Sequence, residues 1–128
     1  MKKHFLIFII MAFVATTKSF GQSDPAYDSL ALLNLNHYAS KPVDSLLQVI
    51  PQSYNYIQLF GNLTNDNIRG LAIRYPSGMT ITIIPLNYVY MTPSDSNRIW
   101  NMIQFKKETA YYISVMHPDF NSLSGKFP

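Results

Sequence analysis

The chain has 128 residues and no cysteine, with ten lysine and arginine residues against seven aspartate and glutamate residues. This length fits one domain and excludes a large multidomain enzyme. The absence of cysteine excludes disulfides, thiolate metal sites and a cysteine nucleophile. From Gln22 onward the chain carries seven basic and seven acidic residues. That part is therefore neutral and lacks the positive field of a nucleic-acid-binding protein.

The first 21 residues are typical of a secretory signal peptide. Two lysines precede an apolar run over 5–15, which is too short to span a bilayer. Small residues occupy the −3 and −1 positions of a cleavage site before Gln22. We therefore expect a signal peptide over 1–21, export to the bacterial periplasm or beyond the cell, and no transmembrane segment after cleavage. An uncleaved membrane anchor is the alternative.

Residues 22–36 allow two interpretations, a linker or a short ordered element. Asp24 followed by Pro25 suits the start of a helix, because proline needs no N–H partner at the first helical position. Residues 33–36 alternate apolar and polar side chains like a short strand. The sequence does not separate these interpretations.

The clearest element is a helix over 42–50. Pro42 suits its first position, and Asp44 lies in the first turn, where the helix dipole favours a negative charge. One apolar stripe recurs at helical spacing, formed by Val43, Leu46, Leu47 and Ile50. So short a helix forms only when its stripe is buried, so we expect Leu47 in the core.

Strand patterns occupy most of the remaining chain. They cover 54–60, 68–75, 79–86 and 110–116, with a continuation over 88–91 after a break at Pro85. Pro76-Ser77-Gly78 predicts a hairpin turn, 61–67 a loop, and 98–106 a second short helix. Apolar side chains alternate with polar or aromatic ones, as in an antiparallel sheet with one solvated face.

These patterns predict an α+β fold. A short amphipathic helix packs on an antiparallel sheet of three to five strands, and a second short helix completes the fold. We expect a single domain over 37–117 and a flexible tail over 118–128, because the tail is rich in proline, serine and glycine.

Catalytic and metal-binding patterns are absent from the sequence. His37 and His117 are far apart and form no metal-spaced pair. No serine lies in a Gly-x-Ser-x-Gly motif, and no glycine-rich phosphate loop occurs. We expect no cofactor, no metal and no enzymatic activity. The enzymatic alternative is a small hydrolase assembled from His117, Asp119 and a hydroxyl such as that of Ser114.

Aromatic residues are the strongest functional signal. Strand alternation places Tyr54, Tyr56 and Phe60 on one side of the first strand, and Tyr112 on the side opposite Ile113 and Val115. If the helix covers the aliphatic face, the open face carries the candidate binding residues Tyr54, Tyr56, Phe60, Arg74 and Tyr112. Tyrosine and arginine are enriched in protein interfaces. The alternative is a second layer that buries them.

These observations predict an exported, non-catalytic interaction module. Its partner would be an envelope or secreted protein, or a glycan that stacks on tyrosine, and not a nucleic acid. An inhibitor or immunity protein is the alternative, although such proteins usually display a strong charge of one sign.

The segment 38–47 (YASKPVDSLL) resembles the beginning of the helix in PASTA-type and other small bacterial envelope modules. The order of one helix followed by three strands is also similar, and the whole chain resembles small secreted bacterial proteins. Ser40 stands where the PASTA modules usually have glycine. The resemblance implies a binding or spacer module and assigns no catalytic residue.

Overall fold

The computed structural model describes residues 23–62, 67–90 and 98–128, and the predicted signal peptide over 1–21 lies outside them. The helices are α1 (Pro25–Ala31), α2 (Leu35–Tyr38), α3 (Val43–Leu47) and α4 (Arg98–Lys107). The strands are β1 (Tyr56–Asn62), β2 (Asn67–Arg74), β3 (Thr80–Pro85), β4 (Val89–Tyr90), β5 (Ala110–Met116) and β6 (Leu123–Lys126).

The six strands of the described residues belong to one antiparallel sheet, which confirms the α+β prediction. The strand order is β1-β2-β3-β5-β6, and the short β4 pairs with the beginning of β2. Strand β4 therefore continues the line of β3 beyond the break at Pro85, as predicted for the 88–91 segment. In the described part of the chain, no helix combines the length and apolarity needed to cross a membrane.

The hairpin between β2 and β3 forms at the predicted turn. The Gly78 N–H donates to the Tyr75 carbonyl oxygen at 3.0 Å, and the Tyr75 N–H donates to the Met79 carbonyl oxygen at 2.9 Å. Gly78 has φ +90°, a left-handed conformation that glycine adopts without the steric cost of a side chain. This turn fixes the register in which Ile73 lies opposite Ile81.

The core lies between one face of the sheet and the helices. Leu71, Ile73, Ile81, Ile83 and Ile113 are fully buried there. The helical layer contributes Leu30, Leu35, Val43, Leu46 and Phe105 to the same cluster. The predicted alternation of the strands is confirmed, because every second residue of each long strand faces this core.

The N-terminal segment is ordered and helical. Asp24 caps α1 by accepting the Ala26 N–H at 3.0 Å, and Pro25 occupies the first turn. Residues 33–36 form no strand, because Leu35 begins α2 and is buried against the sheet. The strand interpretation of this segment is therefore wrong, and the folded unit extends before residue 37.

Helix α3 differs from its prediction at both ends. Pro42 is the residue before the helix, because the Lys41–Val43 segment pairs with Glu108–Ala110 instead of continuing the helical turn. The helix ends at Leu47. Leu46 is buried, whereas Leu47 is only half-buried at the margin of the core. Val43, Leu46 and Ile50 of the predicted stripe therefore lie in the core, and the expectation of a fully buried Leu47 is wrong.

The expectation of a flexible tail over 118–128 is wrong for β6. Leu123 to Lys126 pair with β5, so that Gly125 lies opposite Ile113. Gly125 is buried, and α2 packs directly on it. Local composition missed this strand because its stability comes from pairing with β5 and not from its own sequence.

Candidate functional site

The face of the sheet opposite the core is open within the described residues, and we call it the open face. Its first row crosses four strands. Tyr56 lies opposite Arg74, Arg74 opposite Thr80, and Thr80 opposite Met116. Tyr56 is 45% exposed and Met116 is 58% exposed. An aromatic ring, a guanidinium group and a thioether therefore share one solvated row.

A second row of the open face is mostly apolar. Phe60 lies opposite Gly70, and its ring crosses the position that a side chain at Gly70 would occupy. Tyr112 lies opposite Ile84 on one side and Lys126 on the other. Phe60 remains 40% exposed and Tyr112 37% exposed. Glycine at position 70 lets the Phe60 ring lie flat across the neighbouring strand.

A polar row lies between the first and the second row. Gln58, Ala72, Thr82 and Ser114 follow one another across the sheet, and Ser124 completes the row. None of the six described strands contains an acidic residue, whereas Arg74 and Lys126 are exposed on this face. The open face is therefore aromatic, hydroxyl-rich and positively charged.

Four of the five predicted site residues, Tyr56, Phe60, Arg74 and Tyr112, lie together on the open face. The predicted position on this face is wrong for Tyr54. That residue precedes β1, where the alternation of a strand no longer applies. Its half-buried ring packs edge-on against Tyr75, with ring centroids 6.1 Å apart, and contacts the core. Burial raises the pKa of Tyr75 to about 12, with smaller contributions from Tyr54 and Asp24.

Sequence reasoning missed Met116 and Ile84 on this face. Met116 follows Ser114 by two residues and Tyr112 by four, so strand alternation alone indicated its side of the sheet. The position of Ile84 on the open face could not be inferred, because Ile83 is its neighbour and the sequence does not show which of the two isoleucines faces the core.

A second candidate site surrounds His117 at the end of β5. The His117 Nε2 atom lies 2.9 Å from Asp24 Oδ2, and the side chains of the two residues are 3% and 15% exposed. His117 Nδ1 accepts the Asp119 N–H at 3.0 Å. Because Nδ1 acts as an acceptor, the ring proton lies on Nε2 and is donated to Asp24.

Aromatic rings enclose this histidine. The Phe120 and Tyr27 ring centroids lie 4.5 Å and 5.4 Å from the centroid of the imidazole. The Tyr27 hydroxyl donates to the Asn121 carbonyl oxygen at 2.8 Å. These contacts hold α1 against the segment that connects β5 to β6.

Asp24 is the polar centre of this site. Burial by itself raises the pKa of Asp24, but hydrogen bonds from Ser77, His117 and the backbone of Tyr27 and Ala26 outweigh burial and leave the pKa below its ordinary value. One carboxylate thus joins the beginning of α1, the β2–β3 turn and the end of β5. A shallow cleft of about 310 Å³ lies beside it.

The predicted arrangement of His117, Asp119 and Ser114 is not formed. Asp119 offers its backbone N–H to the imidazole, and the carboxylate beside the ring belongs to Asp24. Ser114 lies on the open face, opposite Thr82 and Ser124. Both ring nitrogens of His117 are already bonded, so neither has a free lone pair with which to accept a proton from a hydroxyl. The geometry therefore makes Asp24–His117 a structural link between elements.

The other histidine of the described chain, His37, is exposed and packs edge-on against Tyr38. Across residues 23–62, 67–90 and 98–128, no group of three or more histidine, aspartate or glutamate side chains is placed to hold a metal ion.

Comparisons with known proteins give no assignment, since no family model, no curated protein and no solved structure matches the chain. The resemblance of segment 38–47 to PASTA-type modules stays a prediction.

Proposed function

We propose that the chain is an exported, non-catalytic binding module that contacts another envelope or secreted protein through the open face. The observation that carries this proposal is the exposure of Tyr56, Phe60, Tyr112 and Met116 on one side of the sheet. Monomeric proteins rarely leave large contiguous apolar patches in water, and such patches mark interaction sites. The signal peptide that the sequence predicts over 1–21 supports export.

The composition of the open face favours a protein partner. Aromatic residues, methionine and arginine are enriched in protein interfaces, whereas aspartate and glutamate are depleted. The open face carries the first three types and no acidic residue. Arg74, in the row between Tyr56 and Met116, provides a charged hydrogen-bond donor. The matching surface would therefore present apolar groups around a carboxylate.

The test is the double variant Tyr112→Ser/Met116→Ser, compared with Leu32→Ser. The first two side chains lie on β5, three strands away from β1. Leu32 is 88% exposed in the turn after α1, so its variant removes apolar surface away from the open face. Immobilised protein is incubated with envelope extract, and captured proteins are quantified by mass spectrometry.

We expect the double variant to capture its partner at least about tenfold less well, since losing interface anchors costs more than about 1 kcal/mol each. The Leu32→Ser variant should capture as much as the wild type. Both should melt within a few degrees of the wild type, because exposed substitutions usually change stability by less than about 0.5 kcal/mol. Unchanged capture by a folded double variant would contradict the proposal. Capture that survives protease treatment of the extract would indicate a glycan partner instead.

A further inference from the structure

The two edge strands of the sheet differ in whether another segment of the described chain covers them. Strand β6 forms one edge, and its Lys126 N–H donates to the Asn36 side chain at 3.0 Å. Helix α2 also packs against Gly125 of this strand. Strand β1 forms the other edge, and none of the described residues pairs with its outer side. Among the described residues, one edge is therefore covered by helix α2, and the other presents backbone groups without a partner.

The regular part of strand β1, which precedes the bulge after Phe60, lacks the charges and prolines that keep an edge strand from pairing with another chain. The seven residues of β1 (YIQLFGN) include no charged residue and no proline. Lysine, proline and shortness are the usual protections of an edge, and an uncharged strand rich in β-formers pairs readily. The regular part of β1 runs from Tyr56 to Phe60, because the pairing with β2 shifts register after Phe60. Gln58 is the centre of this regular part.

We propose that β1 pairs antiparallel with β1 of a second copy of this chain, about a two-fold axis at Gln58. A symmetric dimer requires a self-complementary surface. In this register Tyr56 lies opposite Phe60 of the second copy, and Ile57 lies opposite Leu59 of the second copy. Aromatic and aliphatic pairs of this kind stabilise antiparallel strands. In this register the core-facing side chains of the two copies lie on the same side of the joined sheet. The core of each copy therefore stays covered.

The strand's own sequence argues for a second copy over a foreign peptide. The register pairs aromatic with aromatic, aliphatic with aliphatic and amide with amide side chains, and it buries no charged group. The open faces of the two copies then join into one continuous surface. A single strand pair lies at the small end of protein interfaces, so we expect dissociation constants of about micromolar or weaker. The inference concerns the β1 edge and holds independently of the partner proposed for the open face.

The absence of native cysteine makes a disulfide test selective. A Gln58→Cys variant places one thiol from each copy at the two-fold axis. Directly opposed residues of antiparallel strands have Cα atoms about 4.5–5.5 Å apart, within the range that a disulfide spans. We expect Gln58→Cys to form a covalent dimer under mild oxidation at least about tenfold faster than Leu32→Cys, a control thiol at an exposed turn. Equal rates for the two variants would overturn the proposal.

A second variant tests the non-covalent dimer. Gln58→Lys places two like charges opposite each other at the axis, and sedimentation should shift from dimer toward monomer. Ser124→Lys on β6 is the matched control and should leave the dimer unchanged, as should Tyr112→Ser/Met116→Ser. The proposal would be overturned if the wild type stayed monomeric at about 0.5 mM while envelope extract protected its β1 amides from hydrogen exchange. That result would assign the β1 edge to a strand of another protein.

Discussion

Gly125→Ala tests the packing of α2 on the sheet with a single added methyl group. A Cβ atom at this position would overlap the backbone carbonyl of Leu35 and would lie 2.6 Å from the Leu35 Cβ. Non-bonded carbon atoms prefer separations of about 3.5–4.0 Å. The obstacle is main chain, which cannot rotate away as a side-chain tip can. Either α2 must move off the sheet, or β6 must leave β5.

Both responses cost free energy of unfolding. Overpacking a well-packed site typically costs about 1–3 kcal/mol. Displacing α2 also exposes Leu35, a buried side chain whose transfer to water costs about 1.5–3 kcal/mol. A shift of α2 relieves the overpacking but exposes Leu35, so the two costs do not add in full. We expect the free energy of unfolding to fall by about 2–4 kcal/mol. For a domain near 100 residues this lowers the melting temperature by roughly 10–25 °C.

Urea unfolding followed by circular dichroism measures this loss, with Ser124→Ala as the control. Ser124 is the exposed neighbour of Gly125 on the same strand, so the control changes the strand without adding bulk against α2. We expect the control to stay within about 0.5 kcal/mol of the wild type. If the free energy of unfolding of Gly125→Ala lies within about 0.5 kcal/mol of that of the control, the close packing of α2 on β6 is refuted.

Two further predictions concern Asp24 and α3. The pKa of Asp24 is lower in the folded than in the unfolded chain, so its contribution is present above the unfolded pKa, near 3.8, and is lost as pH falls through the folded pKa. Asp24→Ala should therefore lower the free energy of unfolding by about 0.5–2 kcal/mol at pH 7, because the helix cap is lost. In urea titrations this difference from the wild type should shrink toward pH 2. An equal difference at both pH values would contradict the prediction. Leu46→Ala should cost about 2–5 kcal/mol and Leu47→Ala less than half as much, because only Leu46 is fully buried; equal losses in urea unfolding would contradict the assignment of the core.

Local sequence determined the elements whose stabilising interactions lie close together along the chain. The β2–β3 hairpin follows from Pro76-Ser77-Gly78 and from the flanking alternation, and the turn forms where it was predicted. The side of the sheet occupied by Tyr56 and Tyr112 also follows from alternation alone, since successive residues of a strand face opposite ways. Three of the four side chains of the predicted helical stripe, Val43, Leu46 and Ile50, are buried in the core.

Tertiary structure alone decided the contacts between distant segments. Strand β6 forms because β5 offers a free edge and because Gly125 admits α2, and neither condition can be read from LSGK. The carboxylate that bonds His117 belongs to Asp24, which lies 93 positions away in the sequence. Asp119, the acid predicted beside this histidine, bonds it only through its backbone N–H. Tyr54 turns toward the core because β1 begins two residues later. In each case the free energy comes from burial or hydrogen bonding between segments whose approach local patterns do not encode.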